Sequence, residues 1–186
     1  MKEERYGMIR GLVINYRVTN RTETEAILKN KVTGDEIRVL AEGKVFRGNK
    51  ELTGRCHNKD RVAITIDTKE GKRMVYRYAL VMYAFGLYTT CNEFDLIVNH
   101  KDNIHSHDNI DNLEVCTRSE NCKHGAVHKY LINNGLIELG YVLTVKEALE
   151  VEPLIKDAKI NSNNPEKLYK KIVATYKLYE RYKKVA

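Results

Sequence analysis

Most of what this sequence predicts follows from residues Asp95 to His128, DLIVNHKDNIHSHDNIDNLEVCTRSENCKHGAVH. Five of the six histidines of the chain lie in this stretch, together with many Asn and Asp residues. A short apolar run, Leu96–Val98, precedes a polar segment, 101–112, and a second strand-like run, Leu113–Thr117. Asn, Asp and Ser favour turns because their side chains hydrogen-bond the nearby backbone. The stretch therefore predicts two strands joined by a long loop.

A helix is predicted directly after the second strand. The residues Thr117-Arg-Ser-Glu120 form a capping-box pattern, in which Thr117 caps the first turn and Glu120 reaches back to a free backbone amide. Asn121 falls in that first turn, where its side chain can face the end of the first strand. The predicted order is therefore strand, loop, strand and helix.

This unit resembles the HNH, or ββα-metal, nuclease motif, especially that of phage and intron-encoded homing endonucleases. Asn99-His100 stands where that family has Asp-His or Asn-His. Asn112 follows twelve residues after His100, and Asn121 follows nine residues after Asn112. Upstream, the sequence YALVMYAF, Tyr78–Phe85, is similar to a short helix of these enzymes, with Tyr78 in place of a His. The resemblance covers residues 44 to 125.

The resemblance implies a chemical role for each of these residues. His100 would be the general base that takes a proton from the water attacking a phosphodiester, a role suited to an imidazole near neutral pH. Asn99 and Asn121 would hold one divalent cation, Mg²⁺ or Mn²⁺, through oxygen. Asn112 would tie the loop across the hairpin and so aim His100. The implied catalytic residues are thus His100, Asn112 and Asn121, and the implied metal ligands are Asn99 and Asn121.

The acidic residues of the loop leave an alternative open. Asp102, Asp108 and Asp111 are further candidate ligands, because a carboxylate adds the negative charge that the neutral Asn99 lacks. Asp at such positions is more often a turn former, and we favour Asn99.

The remaining histidines of the stretch have more general interpretations. For His105, His107, His124 and His128 we expect contact with DNA or plain solvation, not metal binding. His124 is the best candidate for an additional active-site role, because it lies three residues after Asn121 on a similar helix face.

The implied function is a metal-dependent homing-type DNA endonuclease that hydrolyses a phosphodiester bond in double-stranded DNA and nicks one strand per active site. The alternative is a DNA-binding protein with a catalytically degenerate HNH core, which the neutral Asn99 favours. An HNH enzyme acting on RNA has little support, since no aromatic stacking platform is evident. Metal-dependent cutting separates the first two interpretations.

The charge is unevenly distributed along the chain. The net charge of +7 divides into +1 for residues 1–43, +6 for 44–78, −5 for 79–164 and +5 for 165–186. Basic segments therefore flank a locally acidic one, as expected if the flanks contact phosphates and the centre binds a cation. Lysines that only solubilise the surface would explain the basic segments equally well.

The composition is that of a soluble intracellular protein. A length of 186 residues suits one or two small domains. The sequence contains no run of apolar residues as long as a membrane span, and MKEERYGMIR lacks the apolar core of a signal peptide. We expect a cytoplasmic location in a bacterial or phage-infected cell. The four cysteines form no Cys-x-x-Cys pair, which predicts reduced thiols rather than structural zinc. The oligomeric state, monomer or dimer, is left open.

The first part of the chain is predicted to be β-rich. Apolar and polar residues alternate over 8–18, 26–31 and 36–40, and Thr33-Gly-Asp35 is a hairpin signal. Two further antiparallel strands are predicted at 62–66 and 74–78, with Tyr76 and Tyr78 packing on the neighbouring helix. In homing endonucleases of this type such a sheet lies along the DNA. The candidate DNA-binding residues are Arg55, Lys59, Arg61, Lys69, Lys72, Arg73 and Arg77.

The last part is predicted to be helical. A helix over 145–158 would be interrupted at Pro153, and Asn164-Pro165 is a helix start for a basic amphipathic segment. Two interpretations stay open for this segment. It contacts DNA, or it is a solvated amphipathic helix that covers the core. The predicted fold class is α+β, with an antiparallel β-rich DNA-binding region at 1–78, a ββα-metal core at 79–130 and a helical region at 131–186.

Overall fold

The computed structural model describes residues 7–9, 12–57, 60–87 and 96–160, and everything below refers to these residues. The chain divides into two compact units, Met1–Arg118 and Ser119–Ala186, which we describe one at a time. The predicted region boundaries after residues 78 and 130 are functional divisions and stay predictions.

The first unit begins with strands that belong to two antiparallel sheets. Strands β1, Gly7–Ile9, and β2, Leu12–Ile14, pair with each other. A meander follows, formed by the strands β3, Tyr16–Arg21, β4, Glu25–Asn30, β5, Glu36–Leu40, β6, Val45–Arg47, and β7, Lys50–Glu51. Alternate residues of β4 and β5 are buried, which is the period of two expected for a sheet with one face on the core. The predicted strands at 26–31 and 36–40 are confirmed.

The prediction that residues 8–18 are β-rich is confirmed for the described residues, where the alternation is divided among β1, β2 and β3. The chain bends at Asn15 and passes from one sheet to the other. Asn15 forms hydrogen bonds with two distant segments of the chain. Its side-chain amide donates to the Thr68 carbonyl at 2.9 Å. Its own carbonyl accepts from the Lys31 amide at 2.8 Å. Because both neighbours of the bend, Ile14 and Tyr16, stay fully buried, the apolar pattern continues through the break.

The second sheet is completed later in the chain. Strands β8, Arg55–His57, β9, Arg61–Thr68, and β10, Gly71–Tyr76, join β1 and β2, with β9 and β10 forming a hairpin. The hairpin prediction is confirmed, but its second strand does not reach residue 78. Helix α1, Arg77–Ala84, begins instead.

Helix α1 is the centre of the first hydrophobic core. Six of its eight residues are buried, so it is apolar almost all round, as is typical of an interior helix. It packs with fully buried residues of the strands, among them Ile14, Leu28 and Ile37. Its C-terminal carbonyl, that of Ala84, accepts from Arg21 Nε at 2.7 Å, which places a cation at the negative end of the helix.

Residues 96–128 fold as predicted. Strand β11, Leu96–His100, and strand β12, Leu113–Thr117, form an antiparallel pair. Residues 101–112 form the loop between them, which ends in a 3₁₀ turn, Ile110–Asn112. Helix α2, Arg118–Asn133, follows directly after Thr117. The order strand, loop, strand and helix is confirmed.

The second unit has its own core. Its described elements are α2 from Ser119 onward and α3, Val145–Ile160. Val127 and Leu131 of α2 belong to one buried cluster with Ala148 and Val151 of α3. The predicted interruption at Pro153 is wrong, since α3 continues through it. Pro153 is exposed, so its ring faces solvent and only one helical hydrogen bond is given up.

The fold class α+β, with an antiparallel β-rich first part and helices after it, is confirmed. The predicted basic helix after Asn164 lies outside the described residues. Among the described helices, none is both long enough and apolar enough to span a membrane.

Candidate active site

Strand β11 carries Asn99 and His100 at its end, inside the first unit. The antiparallel register places Asn99 opposite Glu114 and His100 opposite Leu113. Both side chains are nearly inaccessible, with 4% of Asn99 and 3% of His100 exposed. A buried polar side chain needs hydrogen-bond partners. The partners of these two residues define the site.

His100 is bonded to a buried carboxylate. Its Nε2 lies 2.9 Å from Oδ1 of Asp108, whose side chain is 0% exposed. An ionised carboxylate only accepts, so Nε2 carries the hydrogen and Nδ1 is left with its lone pair. No described residue forms a hydrogen bond with Nδ1. A carboxylate that orients an imidazole in this way prepares it to take a proton.

Asp108 is held in turn by Arg77, the first residue of α1. Arg77 Nε donates to the other carboxylate oxygen, Oδ2, at 2.8 Å, and its NH2 group donates to the Ser106 carbonyl at 2.9 Å. The sequence predicts a strand through residue 78, and that is wrong for Arg77, which begins α1. Its assignment to DNA contact stays a prediction. Only 16% of its side chain is exposed, and its guanidinium is used inside the protein. The ion pair compensates the buried charge of Asp108.

The backbone around Asp108 rests on the turn between β5 and β6. The Ile110 amide donates to the Ala41 carbonyl at 2.7 Å. Gly43 has a φ of +96°, and a Cβ atom there would lie 2.8 Å from the Asp108 carbonyl oxygen. Only glycine combines this conformation with such a close approach. The loop that carries Asp108 is therefore positioned by the N-terminal meander.

A second histidine–carboxylate pair organises the loop itself. Asp102, which is buried, accepts from Asn112 Nδ2 at 2.9 Å and from the Ile104 amide at 2.9 Å. Its Oδ2 lies 2.7 Å from Nδ1 of His107, an exposed residue. Asn112 also donates to the His107 carbonyl and accepts from the Asp102 amide. These contacts hold residues 102–112 in one conformation, and the catalytic assignment of Asn112 stays a prediction.

Aromatic rings surround His100 on its other sides. The Tyr78 ring meets it edge-on with centroids 5.5 Å apart, and the His105 ring does so at 5.6 Å. Tyr76 stacks on Tyr78 at 5.3 Å, and the Arg61 guanidinium lies 5.9 Å from the Tyr76 ring centroid. Burial lowers the pKa of His105, and the positive charge of Arg61 lowers it further. His105 is therefore a neutral neighbour of His100 at pH 7.

Asn99 makes a single described hydrogen bond, to Glu114. Its Nδ2 donates to Oε1 of Glu114 across the hairpin at 2.9 Å. Within the described part of the chain, no three or more His, Cys, Asp and Glu side chains are grouped so that they could hold a metal ion. The amide oxygen of Asn99 and the carboxylate of Glu114 are nevertheless the oxygen donors that a hard cation such as Mg²⁺ prefers. The donor chemistry beside His100 fits a divalent cation.

Three residues that the sequence associated with the site lie on α2, in the second unit. Asn121 is half-buried there. His124 and His128 are fully buried, and their Nε2 atoms bond the Leu143 and Tyr141 carbonyls at 2.7 and 2.9 Å. The expectation that these two histidines are solvated or contact DNA is wrong, because both side chains are fully buried. An active-site role for His124 stays a prediction. They fasten the segment before α3 to α2.

The candidate DNA-binding residues of the second sheet fall into several groups. Arg55 and Lys72 are exposed, and Arg61 lies beside Tyr76 and His105. Arg73 is exposed and lies 3.7 Å from Glu70. Lys69 is exposed in the turn between β9 and β10, and Lys59 lies outside the described residues. The assignment of these residues to DNA contact stays a prediction.

The site contains partners that the sequence did not reveal. The sequence indicates Asp108 only as an alternative ligand or a turn former and does not single out Glu114. Arg77 lies 31 residues before Asp108 in the sequence. The strand–loop–strand pattern was the available signal for Glu114, because the hairpin register alone places it opposite Asn99. No local signal distinguishes Asp108 from the other acidic residues of the loop.

No family model matches the sequence, and no curated protein matches it. Among solved structures, the chain is similar to one described as "DNA binding and cleavage by the HNH homing endonuclease I-HmuI", with a TM-score of 0.41 and 18% identity. The similarity covers 67% of this chain and 66% of that one, which is just under two thirds. A TM-score this low carries no argument about function, which must rest on the side chains.

Proposed function

We propose that this protein is a divalent-metal-dependent DNA endonuclease of the HNH type, which hydrolyses a phosphodiester bond in double-stranded DNA and nicks one strand per active site. The observation that carries the proposal is the buried pair of His100 and Asp108, 2.9 Å apart, at the end of β11. Unlike the exposed His107 of the second pair, His100 is buried, and its carboxylate partner is held by a guanidinium, that of Arg77. The arrangement fits a general base.

In the proposed reaction, Nδ1 of His100 takes a proton from the attacking water. Asp108 accepts the Nε2 hydrogen, keeps the ring in the required tautomer and stabilises the imidazolium that forms. Arg77 holds Asp108 in place through its second oxygen. Tyr78 and His105 pack edge-on against the ring and restrict its rotation. A fixed ring increases the rate because the base is already oriented when the water arrives.

Asn99 and Asn121 are the proposed ligands of one Mg²⁺ or Mn²⁺ ion. A bound cation would stabilise the negative charge that develops on the phosphate and on the leaving 3′ oxygen. The Glu114 carboxylate fixes the Asn99 amide, so that the amide oxygen is left to face a ligand. Asn112 is proposed to contribute indirectly, by holding the loop that carries Asp108.

The test is the relaxation of supercoiled plasmid with Mg²⁺ or Mn²⁺, preferably on DNA from the source genome. The wild type should convert supercoiled DNA to open circles, whereas His100→Ala should not. Asp108→Asn should reduce the nicking rate by about 10²- to 10⁴-fold, because an amide no longer selects the Nε2–H tautomer. DNA binding should survive both changes.

The matched control for Asp108→Asn is Asp111→Asn, which removes the same charge from an exposed position of the same loop. Its nicking rate should stay within about twofold of the wild type. Melting curves ensure that each variant is assayed while folded. If Asp108→Asn cuts as fast as the wild type, the proposed role of the pair is wrong. If the wild type binds native DNA and never cuts it, the chain is a DNA-binding protein with a degenerate core.

A further inference from the structure

The first unit contains a cavity of about 490 Å³ between the β6–β7 hairpin, the segment after it, and strands β9 and β10. Its volume lies in the range of roughly 300–1,000 Å³ that is typical of ligand sites. Four cationic side chains line it, namely Arg47, Lys50, Arg55 and Lys72. The two carboxylates in its lining are Glu51 and Asp67. The cavity therefore carries an excess of positive charge.

Arg47 and Lys50 are placed unfavourably for the protein alone. They face each other directly across the β6–β7 hairpin. Like charges in this position repel and destabilise a strand pair. Only the two residues Gly48 and Asn49 separate them in the sequence, so the tight turn keeps the two cations together. An anion bound between them would remove the repulsion.

The guanidinium of Arg47 has an unused donor. Its NH2 group donates to the Tyr16 hydroxyl at 3.2 Å and lies 3.7 Å from Asp67. Its Nε atom is buried and has no hydrogen-bond partner among the described residues. An unsatisfied buried N–H is costly and rare in folded proteins. This donor belongs to a residue of the cavity lining.

The other two cations of the lining, Arg55 and Lys72, are also available to bind an anion. Arg55 and Lys72 are exposed, and neither forms an ion pair with a described carboxylate. Arg47 and Asp67 form an ion pair, which leaves Lys50, Arg55 and Lys72 against one remaining carboxylate of the lining, Glu51. Met74 of β10, half-exposed, adds an apolar surface to the wall. The cationic side chains can bind a phosphate, and the apolar wall beside them can pack against the sugar attached to that phosphate.

We infer that this cavity binds a backbone phosphate of the DNA that the enzyme cuts, with Arg47, Lys50 and Lys72 as the contacting cations. The inference rests on the proposed function, because the phosphate belongs to the same DNA. It extends the predicted contact surface from the second sheet to the β6–β7 hairpin of the first. Bound phosphate offsets the repulsion between Arg47 and Lys50 and offers an acceptor to a guanidinium donor.

The experiment measures the affinity for duplex DNA as a function of salt concentration in EDTA, by fluorescence anisotropy. Each phosphate contact contributes about 0.9 to the slope of log K against log salt concentration. Lys50→Gln and Lys72→Gln should each reduce the slope by about that amount, which corresponds to about eightfold weaker binding at 0.1 M salt relative to 1 M. The matched control is Lys29→Gln, an exposed lysine of β4 that pairs with Glu36 outside the cavity. It should leave the slope unchanged.

A second measurement separates the possible anions and checks folding. Lys50→Gln should melt no lower than the wild type, because the substitution removes a repulsion. An unchanged slope in Lys50→Gln and Lys72→Gln, with normal binding and nicking by the wild type, overturns the cavity inference alone. If inorganic phosphate stabilises the wild type but not Lys50→Gln, and the DNA slope is unchanged, the cavity binds a small anion and the DNA inference is wrong. If the wild type binds no duplex DNA, the proposed function itself is wrong.

Discussion

At the scale of single residues, the site depends on how completely Asp108 is enclosed. Both of its oxygens are bonded, one to His100 and one to Arg77, and its side chain is 0% exposed. A buried carboxylate with one partner removed would be strongly destabilising. In the proposed mechanism Arg77 is a positioning residue, which would act on the reaction through Asp108.

The geometry of Arg77 predicts that lysine cannot replace it. Arg77→Lys keeps the charge but cannot reach Asp108 and the Ser106 carbonyl together, because a lysine has one compact donor group instead of a planar fork. We expect the free energy of unfolding to fall by about 1–3 kcal/mol, with slower nicking. Urea denaturation and the plasmid assay measure the two effects. Arg73→Lys, an exposed arginine nearby, should change neither.

A pH dependence is predicted at His105. Burial and the charge of Arg61 lower the pKa of His105 below its usual 6.5. As the pH falls below 6.5, the unfolded chain takes up this proton first, so stability is lost until the pH passes the lowered value. His105→Gln should flatten the dependence of unfolding free energy on pH in that window.

Histidine titrations followed by NMR give a direct measurement of the same effect. The His105 ring should titrate with a midpoint below 6.5 in the wild type, and Arg61→Gln should raise that midpoint by removing a nearby positive charge. A wild-type midpoint at or above 6.5 would contradict the placement of His105 between Arg61 and His100.

At the scale of elements, the β5–β6 turn packs against the loop between β11 and β12, and the two together hold the pair of His100 and Asp108 in place. The turn supplies a carbonyl to Ile110 and a glycine against the Asp108 backbone. Because β5 and β6 belong to the N-terminal meander, that meander has a direct part in the site. It is not only a candidate DNA-binding surface.

Gly43→Ala tests this support. The new Cβ would meet the Asp108 carbonyl at 2.8 Å and would also be strained at a φ of +96°. We expect a loss of about 2–4 kcal/mol in unfolding free energy and reduced nicking, because the loop must move. Gly34→Ala is the control: its φ is +79°, but no atom lies within 4 Å of the new Cβ. It should cost about 1 kcal/mol, from backbone strain alone, and leave nicking unchanged.

At the scale of the whole molecule, the net charge is divided unevenly along the chain. Residues 44–78, at +6, include the four cations of the cavity, and residues 79–164, at −5, include the proposed catalytic residues. A protein that binds a polyanion and a cation needs both kinds of region. The separation predicts that DNA binding and cutting can be lost independently.

Metal removal tests that independence. EDTA should slow nicking at least about a hundredfold, since a divalent cation at a phosphoryl centre contributes several kcal/mol. Duplex binding in EDTA should persist, because it depends on Arg and Lys side chains. Added Mg²⁺ or Mn²⁺ should restore nicking, and Asn99→Asp should lower the concentration required, because it adds a ligand charge. Nicking at full rate in EDTA would contradict the proposed role of the cation.

Local sequence patterns predict many of the strands and helices of this protein. Capping, turn and periodicity signals act over a few residues, so the strands β11 and β12, the start of α2 and the strands β4 and β5 could be predicted. The same signals failed where local pattern and packing disagree. They extended the strand predicted at 74–78 into α1, and they gave no signal for the change of sheet at Asn15.

Which side chains contact each other in the site depends on the tertiary structure. Arg77 and Asp108 are 31 residues apart, and the Asn15 bend depends on bonds to both Lys31 and Thr68. His124 and His128 share the polarity of His100, yet they lie in the second unit and bond backbone carbonyls, whereas His100 bonds a carboxylate. Sequence spacing predicts an element because each element forms its own backbone hydrogen bonds. The partner of a buried charge depends on which elements pack around it, and no local pattern contains that information.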